Sequence, residues 1–421
     1  MRKYQQLLLV IISITSVAIL LMYKSENNRL RYVLEVVNFF GRSDAAVLDR
    51  LENNTKADYG YDFSSPLPVW QYIGDNFHTY SSFWEKKELT PGGTAISIVV
   101  GARGALVNFK CGIRYKEGKV ISGKFAFVIV DTPRPQNEQY PDQFTVYKFL
   151  CKITRDFGVA ENVILISTKT KAEYELSLRH IKNKEIKERA EMNVCVNMVA
   201  YNSSNTAALS EFSTKTNVMQ FFLFHQTIGV DNFLVYNADA LSGHTRKLLS
   251  QAGIHINYFP YNFPFDYRSP ATRTILELDC TMRSMNTAQT ATLLEINEFF
   301  FTGENLRSPD SMLTGLKHYD SDVNRFELTT YSVCMDARFK LLLDSKFYDP
   351  ERTPGHKIYI YKLHMLAEHI KIMPLAISHA FVHVYTNCVG SKDLLHEWRG
   401  SIRSDFLQYI EDVRKEIGFM F

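Results

Sequence analysis

NVCVNMVAYN (193–202), TNVMQFFLFHQTIGV (216–230), NFLVYNA (232–238), SGHTRKLLSQAG (242–253), IHINYFPYN (254–262), SPATRTILELDCTMRSMNTA (269–288) and TATLLEINEFFF (290–301) together decide the fold. The first, third, fifth and last are apolar and rich in β-branched or aromatic residues, as buried strands are. The segments between them carry apolar residues at helical spacing, with residues that start and stop helices at their ends. Gly229 is placed to stop the first helix. Ser242 is placed to cap the second, Gly253 terminates it, and Pro270 stands near the first turn of the third. Strand and helix alternate at the spacing of an α/β sheet with crossover connections. The expected fold class is therefore α/β. Ligands of such sheets sit at the carboxyl ends of the strands, which directs attention to Tyr201, Asn237 and the tetrad Glu295-Ile296-Asn297-Glu298.

Upstream, the texture is different. AISIVVGARG (95–104), ALVNFKCGIRY (105–115), KVISGKFAFVIV (119–130) and VILIST (163–168) are short β-rich segments separated by Gly and charged residues. They predict a small β-rich domain over 95–190. RHIKNKEIKERAE (179–191) mixes both signs of charge and reads as a solvated helix or linker. Residues 25–94 have no sustained period and read as a stem leading into the globular part. The α/β part then runs from 191 to 421 and closes on an amphipathic helix, SIRSDFLQYIEDVRKEIG (401–418).

The amino terminus carries LLLVIISITSVAILLMY (7–23), a run without charge. As a helix it spans about 25 Å, enough for a thin membrane. It ends without a small-x-small cleavage site, so residues 1–24 read as an uncleaved signal-anchor that ties the chain to a membrane. Sequons at Asn53 and Asn202 permit a lumenal body. All six cysteines lie beyond the anchor and none forms a CxxC pair, which argues against a zinc ribbon or a thioredoxin-type site. Disulfides and buried free thiols both remain open.

The chain's 421 residues hold 48 Lys+Arg against 45 Asp+Glu, a balance that gives no reason to expect nucleic acid as partner. GxGxxG after a strand, GxxxxGK[ST], HExxH and GxSxG are all missing. Their absence argues against a classical dinucleotide enzyme, P-loop enzyme, zincin or serine hydrolase.

The strongest positive signal is LLEINEFFF (293–301). A strand end crowded with oxygen-bearing side chains suits a hard divalent cation, and Mg²⁺ or Mn²⁺ there could bridge a nucleotide diphosphate. Read as one strand, it turns Glu295 and Asn297 to one side and Glu298 to the other. The plainer reading makes them strand-end acids in water. The second constellation is SHAFVHVYTNC (378–388), where His383 and Tyr385 share a strand face. His383 reads as a third ligand or a diphosphate contact, or else as a satisfied structural histidine. Asp279, on a helix beside Cys280, has the plain reading of a buried acid with a backbone partner.

At these residues the chain resembles glycosyltransferase family 92, formerly a domain of unknown function. The resemblance lies in Val194-Cys195-Val196, QTIGVDNFLVYNA, LELDCTMRS, LLEINEFFF and VHVYTNCV, in that order over about residues 192–390. It implies a GT-A-like nucleotide-sugar-binding domain in a single-pass type II protein of the Golgi or endoplasmic-reticulum membrane. It also implies transfer of a hexose, galactose from UDP-galactose, to a glycan acceptor with inversion. On this likeness Glu295, Asn297 and His383 would hold a divalent metal, Mn²⁺ by preference. Tyr201, Asn237, Asp279 and Tyr385 would bind the UDP-sugar, and Glu298 is the nominee for general base.

The chain departs from that pattern in three places. Glu295 replaces the first Asp of the metal motif, Asn297 replaces the second, and Thr386 stands where the family has Arg. Asn keeps an oxygen ligand but loses a full charge, and loss of Arg removes a bidentate phosphate partner. These changes motivate a second reading: a catalytically inactive paralogue that serves as a glycan-binding or scaffold protein.

Overall fold

The computed structural model describes residues 66–86, 91–130, 144–181, 189–198, 215–230, 232–237, 241–261, 263, 269, 271–285, 287–303, 316, 323–335, 341–351, 356–363, 371–388, 393–394 and 408. The chain divides into units Met1–Gly60 and Tyr61–Phe421, and every described residue belongs to the second.

Nine strands come first: β1 (Gln71–Tyr72), β2 (Phe77–Glu85), β3 (Gly93–Ala102), β4 (Phe109–Tyr115), β5 (Val120–Val130), β6 (Phe144–Ile153), β7 (Ala160–Ser167), β8 (Glu173–Ser177) and β9 (Arg179–His180). They form one sheet in the order β1-β2-β3-β6-β5-β4-β7-β8, with β9 added beside β2. Pairing is antiparallel throughout except between β2 and β9. The sheet curls because β5 changes partner part-way along. Its residues 120–123 pair with β4 and its residues 124–130 with β6. Inside the curl lie Phe77, Phe109, Tyr147, Phe149 and the disulfide Cys111–Cys151.

Next come β10 (Ala190–Asn197), α1 (Lys215–Thr227), β11 (Asn232–Tyr236), α2 (Gly243–Gln251), β12 (Ile256–Phe259), α3 (Ala271–Ser284) and β13 (Ala288–Glu295). Local chemistry fixes the helix ends. Ser242 Oγ accepts the Thr245 N–H at 3.1 Å, and Gly229 takes φ +96° just past α1, where a side chain would be strained. The remaining strands are β14 (Glu298–Thr302), β15 (Arg325–Glu327), β16 (Thr329–Cys334), β17 (Phe347–Asp349), β18 (Tyr359–Lys362), β19 (Ile372–Pro374), β20 (Ala380–Thr386) and β21 (Asp393–Leu394). One seven-stranded sheet has the order β12-β11-β10-β13-β18-β15-β19, and one five-stranded sheet the order β14-β20-β16-β17-β21.

Side-chain alternation gives the seven-stranded sheet two buried faces. Val194, Val196, Phe233, Val235 and Leu294 pack toward α1, α2 and the five-stranded sheet. Cys195, Leu234, Tyr236, Ala291 and Leu293 pack toward α3, which in turn meets Tyr80, Phe83, Ile96 and Ile98 of the nine-stranded sheet. Helix α3 is thus enclosed between two sheets. The disulfide Cys195–Cys280 fastens it to β10, and Cys334–Cys388 ties the end of β16 to the segment after β20. All six cysteines are paired, as an oxidising folding environment produces.

Two expectations need correction. The α/β class with a GT-A-like domain does not describe this architecture. Among the described residues there are 21 strands and only three α-helices, of 13, 9 and 14 residues. The parallel run β12-β11-β10-β13 ends at β13, where β18 inserts antiparallel to both β13 and β15, and the largest sheet is a curled antiparallel one. The alternating stretch supplies only three crossover helices, too few to set the class when the described residues on either side of it are mainly strand. The second correction concerns the membrane. The anchor at 1–24 and both sequons lie outside the described residues. Among the described residues no helix is long and apolar enough to cross a membrane. Membrane anchoring, type II topology and the Golgi or endoplasmic-reticulum assignment are therefore withdrawn.

Candidate functional site: a carboxylate pair where the chain changes sheets

LLEINEFFF is not one strand. Strand β13 ends at Glu295, Ile296 and Asn297 make a turn, and β14 starts at Glu298 in a different sheet. The turn reverses the expected geometry. Instead of facing apart, Glu295 and Glu298 face together, and the Glu298 carboxylate accepts the Glu295 N–H at 2.7 Å. His356 completes the group, its Nε2 lying 2.5 Å from Glu298 Oε1. One ligating atom from each of Glu295, Glu298 and His356 lies within 4.8 Å of the other two.

Arg273 of α3 borders this cluster. It lies 3.4 Å from Glu295 and 3.8 Å from Glu298, donates to the Leu293 carbonyl at 3.1 Å, and pairs with Glu277 at 3.3 Å. The Glu298 side chain is fully enclosed, whereas Glu295 is 20% and His356 22% exposed, so the cluster opens on one side. Charge follows from this placement. Burial, then the Glu298 charge, pushes the Glu295 carboxyl up. Burial alone would raise Glu298 too, but His356 and Arg273 hold it below the usual carboxylate range. Burial opposes charging His356, yet Glu298 carries it above the ordinary imidazole value.

The other expected site residues fall elsewhere. His383 is opposite Phe299 in the β14–β20 ladder, so it shares the face of Phe299 and Phe301 while Glu298 takes the other. Its ring lies 4.4 Å from Phe301 and 5.2 Å from Phe381. Pleat parity therefore keeps His383 from the carboxylates, and His356 stands in its stead. Tyr385 shares that aromatic face, edge-on to Phe299 at 5.0 Å. Asn297 donates through Nδ2 to the Tyr385 carbonyl at 3.1 Å, while its buried Oδ1 has no hydrogen-bond partner among the described residues. Asn237, at φ +61°, donates toward the Met198 carbonyl at 3.4 Å and so joins the ends of β10 and β11. Tyr201 lies outside the described residues.

Asp279 is fully buried and structural in its contacts. It pairs with Arg283 one turn on, and it accepts the Tyr236 hydroxyl at 2.8 Å and the Ser81 hydroxyl at 2.6 Å. It thereby joins α3 to both sheets that enclose it, with side-chain partners and not the backbone partner expected. Glu298 as a general base meets a similar obstacle. Its carboxylate is enclosed and already engaged by the Glu295 N–H and His356.

Sequence reasoning ranks His356 below His383 and misses His225. His356 follows a Pro-Gly pair far from the tetrad along the chain, so nothing in its sequence neighbours ties it to the carboxylates. His225 of α1 has Nδ1 2.8 Å from the Phe221 carbonyl, and its Nε2 accepts the Phe300 N–H at 3.1 Å on the outer edge of β14. Burial depresses its pKa to about 3 and keeps it neutral.

No family model matches the chain. No curated protein matches it either. Among solved structures, an inositol-1-phosphate CTP transferase from T. maritima is similar at 9% identity and TM-score 0.24, over 52% of this chain and 97% of that one. An amylomaltase from Corynebacterium glutamicum is similar at 14% identity and TM-score 0.14, over 48% of this chain and 26% of that one. Likenesses this remote carry no functional argument.

Two carboxylates and one imidazole nitrogen form a donor set that fits a divalent cation such as Mn²⁺. Glu295, Glu298 and His356 would hold it.

Proposed function

We propose that the chain transfers a hexosyl group, galactose from UDP-galactose, to a glycan acceptor with inversion, assisted by a divalent cation. The observation that carries this reading is the Glu295–Glu298–His356 cluster, partly open, at the carboxyl end of a central parallel strand. The order of the motifs in the sequence supports it, the architecture departs from the GT-A-like one that the resemblance implies, and the comparisons add nothing to it. A bound cation would neutralise charge on the departing diphosphate. The protein's own residues do the rest. The Ile296-Asn297 turn keeps the two carboxylates side by side, and Arg273 and the Glu295 N–H fix the Glu298 carboxylate. Arg273 binds both carboxylates on one flank, which leaves the partly exposed Glu295 and His356 facing the opening. Glu295 is the carboxylate that an acceptor hydroxyl could approach.

The test is direct. Purified protein with Mn²⁺ and UDP-galactose should release UDP, slowly to water and faster with a glycan acceptor, and E295Q should abolish the release. UDP-sugars left intact in every combination of acceptor and Mn²⁺ would sink the proposal. The Arg273 ion pairs and the Asn297 and Thr386 departures favour one alternative, a non-catalytic glycan-binding protein. Glycan binding without UDP release would select it.

A further inference from the structure

Arg273 puts a fixed positive charge where a metal's charge would go. Its guanidinium spans Glu277, Glu295, the Leu293 carbonyl and Glu298, and its side chain is only 11% exposed. It cannot easily leave. Helix α3 is held at its far end by the Cys195–Cys280 disulfide and by Asp279. We infer that Arg273 is the built-in counter-cation of the carboxylate pair: it keeps Glu295 and Glu298 side by side when no ion is bound, and it lowers the site's affinity for a divalent ion. The inference rests on reading Glu295, Glu298 and His356 as a cation site.

The physical ground is Coulomb repulsion in a poorly solvated place. A divalent ion bound to these carboxylates lies within a few ångströms of a guanidinium that shares the same oxygens, and little water screens the two. The metal alone therefore binds weakly. A diphosphate adds the negative charge that Arg273 has cancelled, so ion and diphosphate bind best together. This makes the ligand class of the site a metal–diphosphate complex and not the free ion.

Titration of the full chain with Mn²⁺ alone, read by the electron paramagnetic resonance of free Mn²⁺, tests the inference without any turnover. Arg273→Gln should bind Mn²⁺ about tenfold more tightly than the unsubstituted chain, and Arg273→Lys about threefold more tightly, because the shorter ammonium cannot span both carboxylates. Adding UDP should tighten Mn²⁺ binding more in the unsubstituted chain than in Arg273→Gln. Should Arg273→Gln fail to fold, Arg273→Lys carries the test. Equal or weaker Mn²⁺ binding by the folded variants overturns the inference and leaves the cation site standing. No Mn²⁺ binding by either the variants or the unsubstituted chain overturns both.

Discussion

Helix α3 carries a charged cluster at each end, and the two are built differently. At the carboxyl-terminal end one acid faces one base. Asp279 pairs with Arg283 and takes hydroxyl hydrogens from Tyr236 and Ser81, and both members are sealed from solvent. At the amino-terminal end Arg273 meets three acids, Glu277, Glu295 and Glu298, and the group opens toward solvent at Glu295 and His356. The first cluster matches one acid to one base, with the Arg283 guanidinium also lying over the Phe259 ring, and has no opening. The second holds carboxylate in excess of fixed cation, beside an opening. Buried charge that is matched one to one is architecture, while unmatched charge at an opening is where a ligand can bind.

The largest expected effect would break this contrast. Asp279→Ala leaves Arg283 charged and enclosed, and should cost about 3–5 kcal/mol in urea unfolding, whereas Asp279→Leu with Arg283→Met should recover most of that loss. A cost for Asp279→Ala near that of an exposed substitution would remove the distinction.

Next in size is an acid effect at a group that avoids charge altogether. Unfolded His225 protonates at the ordinary 6.5, but the folded ring resists down to about 3. Between those values the unfolded chain binds more protons, so stability is lost as pH falls. Acidification from 6.5 to 5 should remove about 2 kcal/mol, and His225→Gln should flatten that slope. An unchanged slope would show that the imidazole is not what caps β14.

Glu298→Gln sharpens the comparison from the other side. It keeps the shape and an acceptor for the Glu295 N–H, so it should cost only about 1–2 kcal/mol while Mn²⁺ binding is lost. Retained Mn²⁺ affinity would disqualify the carboxylate pair as the ion's seat. The smallest effect belongs to His383→Phe, which should change Mn²⁺ affinity by less than about twofold because the ring faces away from the carboxylates.

The strands and helices between residues 193 and 295 were legible because each carries its own punctuation, as at Gly229, Ser242 and Gly253. The break inside LLEINEFFF was not. Ile296-Asn297 holds no Gly or Pro, and the three phenylalanines after it continue the apolar texture of β13. Parity then failed: a single strand separates Glu298 from Glu295, and a turn unites them. His383 was chosen for its neighbours in sequence, whereas its face is set by pairing with Phe299, which only the ladder register reveals. The overall class is not legible because nothing in the β-rich segments upstream marks them as more than an appendage to the alternating stretch. They form the largest sheet and one wall around α3.

That enclosure gives α3 the character of a measured spacer. Arg273 and Asp279 stand a fixed number of residues apart on one rigid element, and each has a required direction: one toward the strand turn, the other toward Tyr236 and Ser81. A single residue inserted between them would rotate one end by about 100° relative to the other. Either the sealed lock or the carboxylate site would then lose its partner. Length variation within this helix should therefore be far less tolerated than length variation in the connections on either side of it.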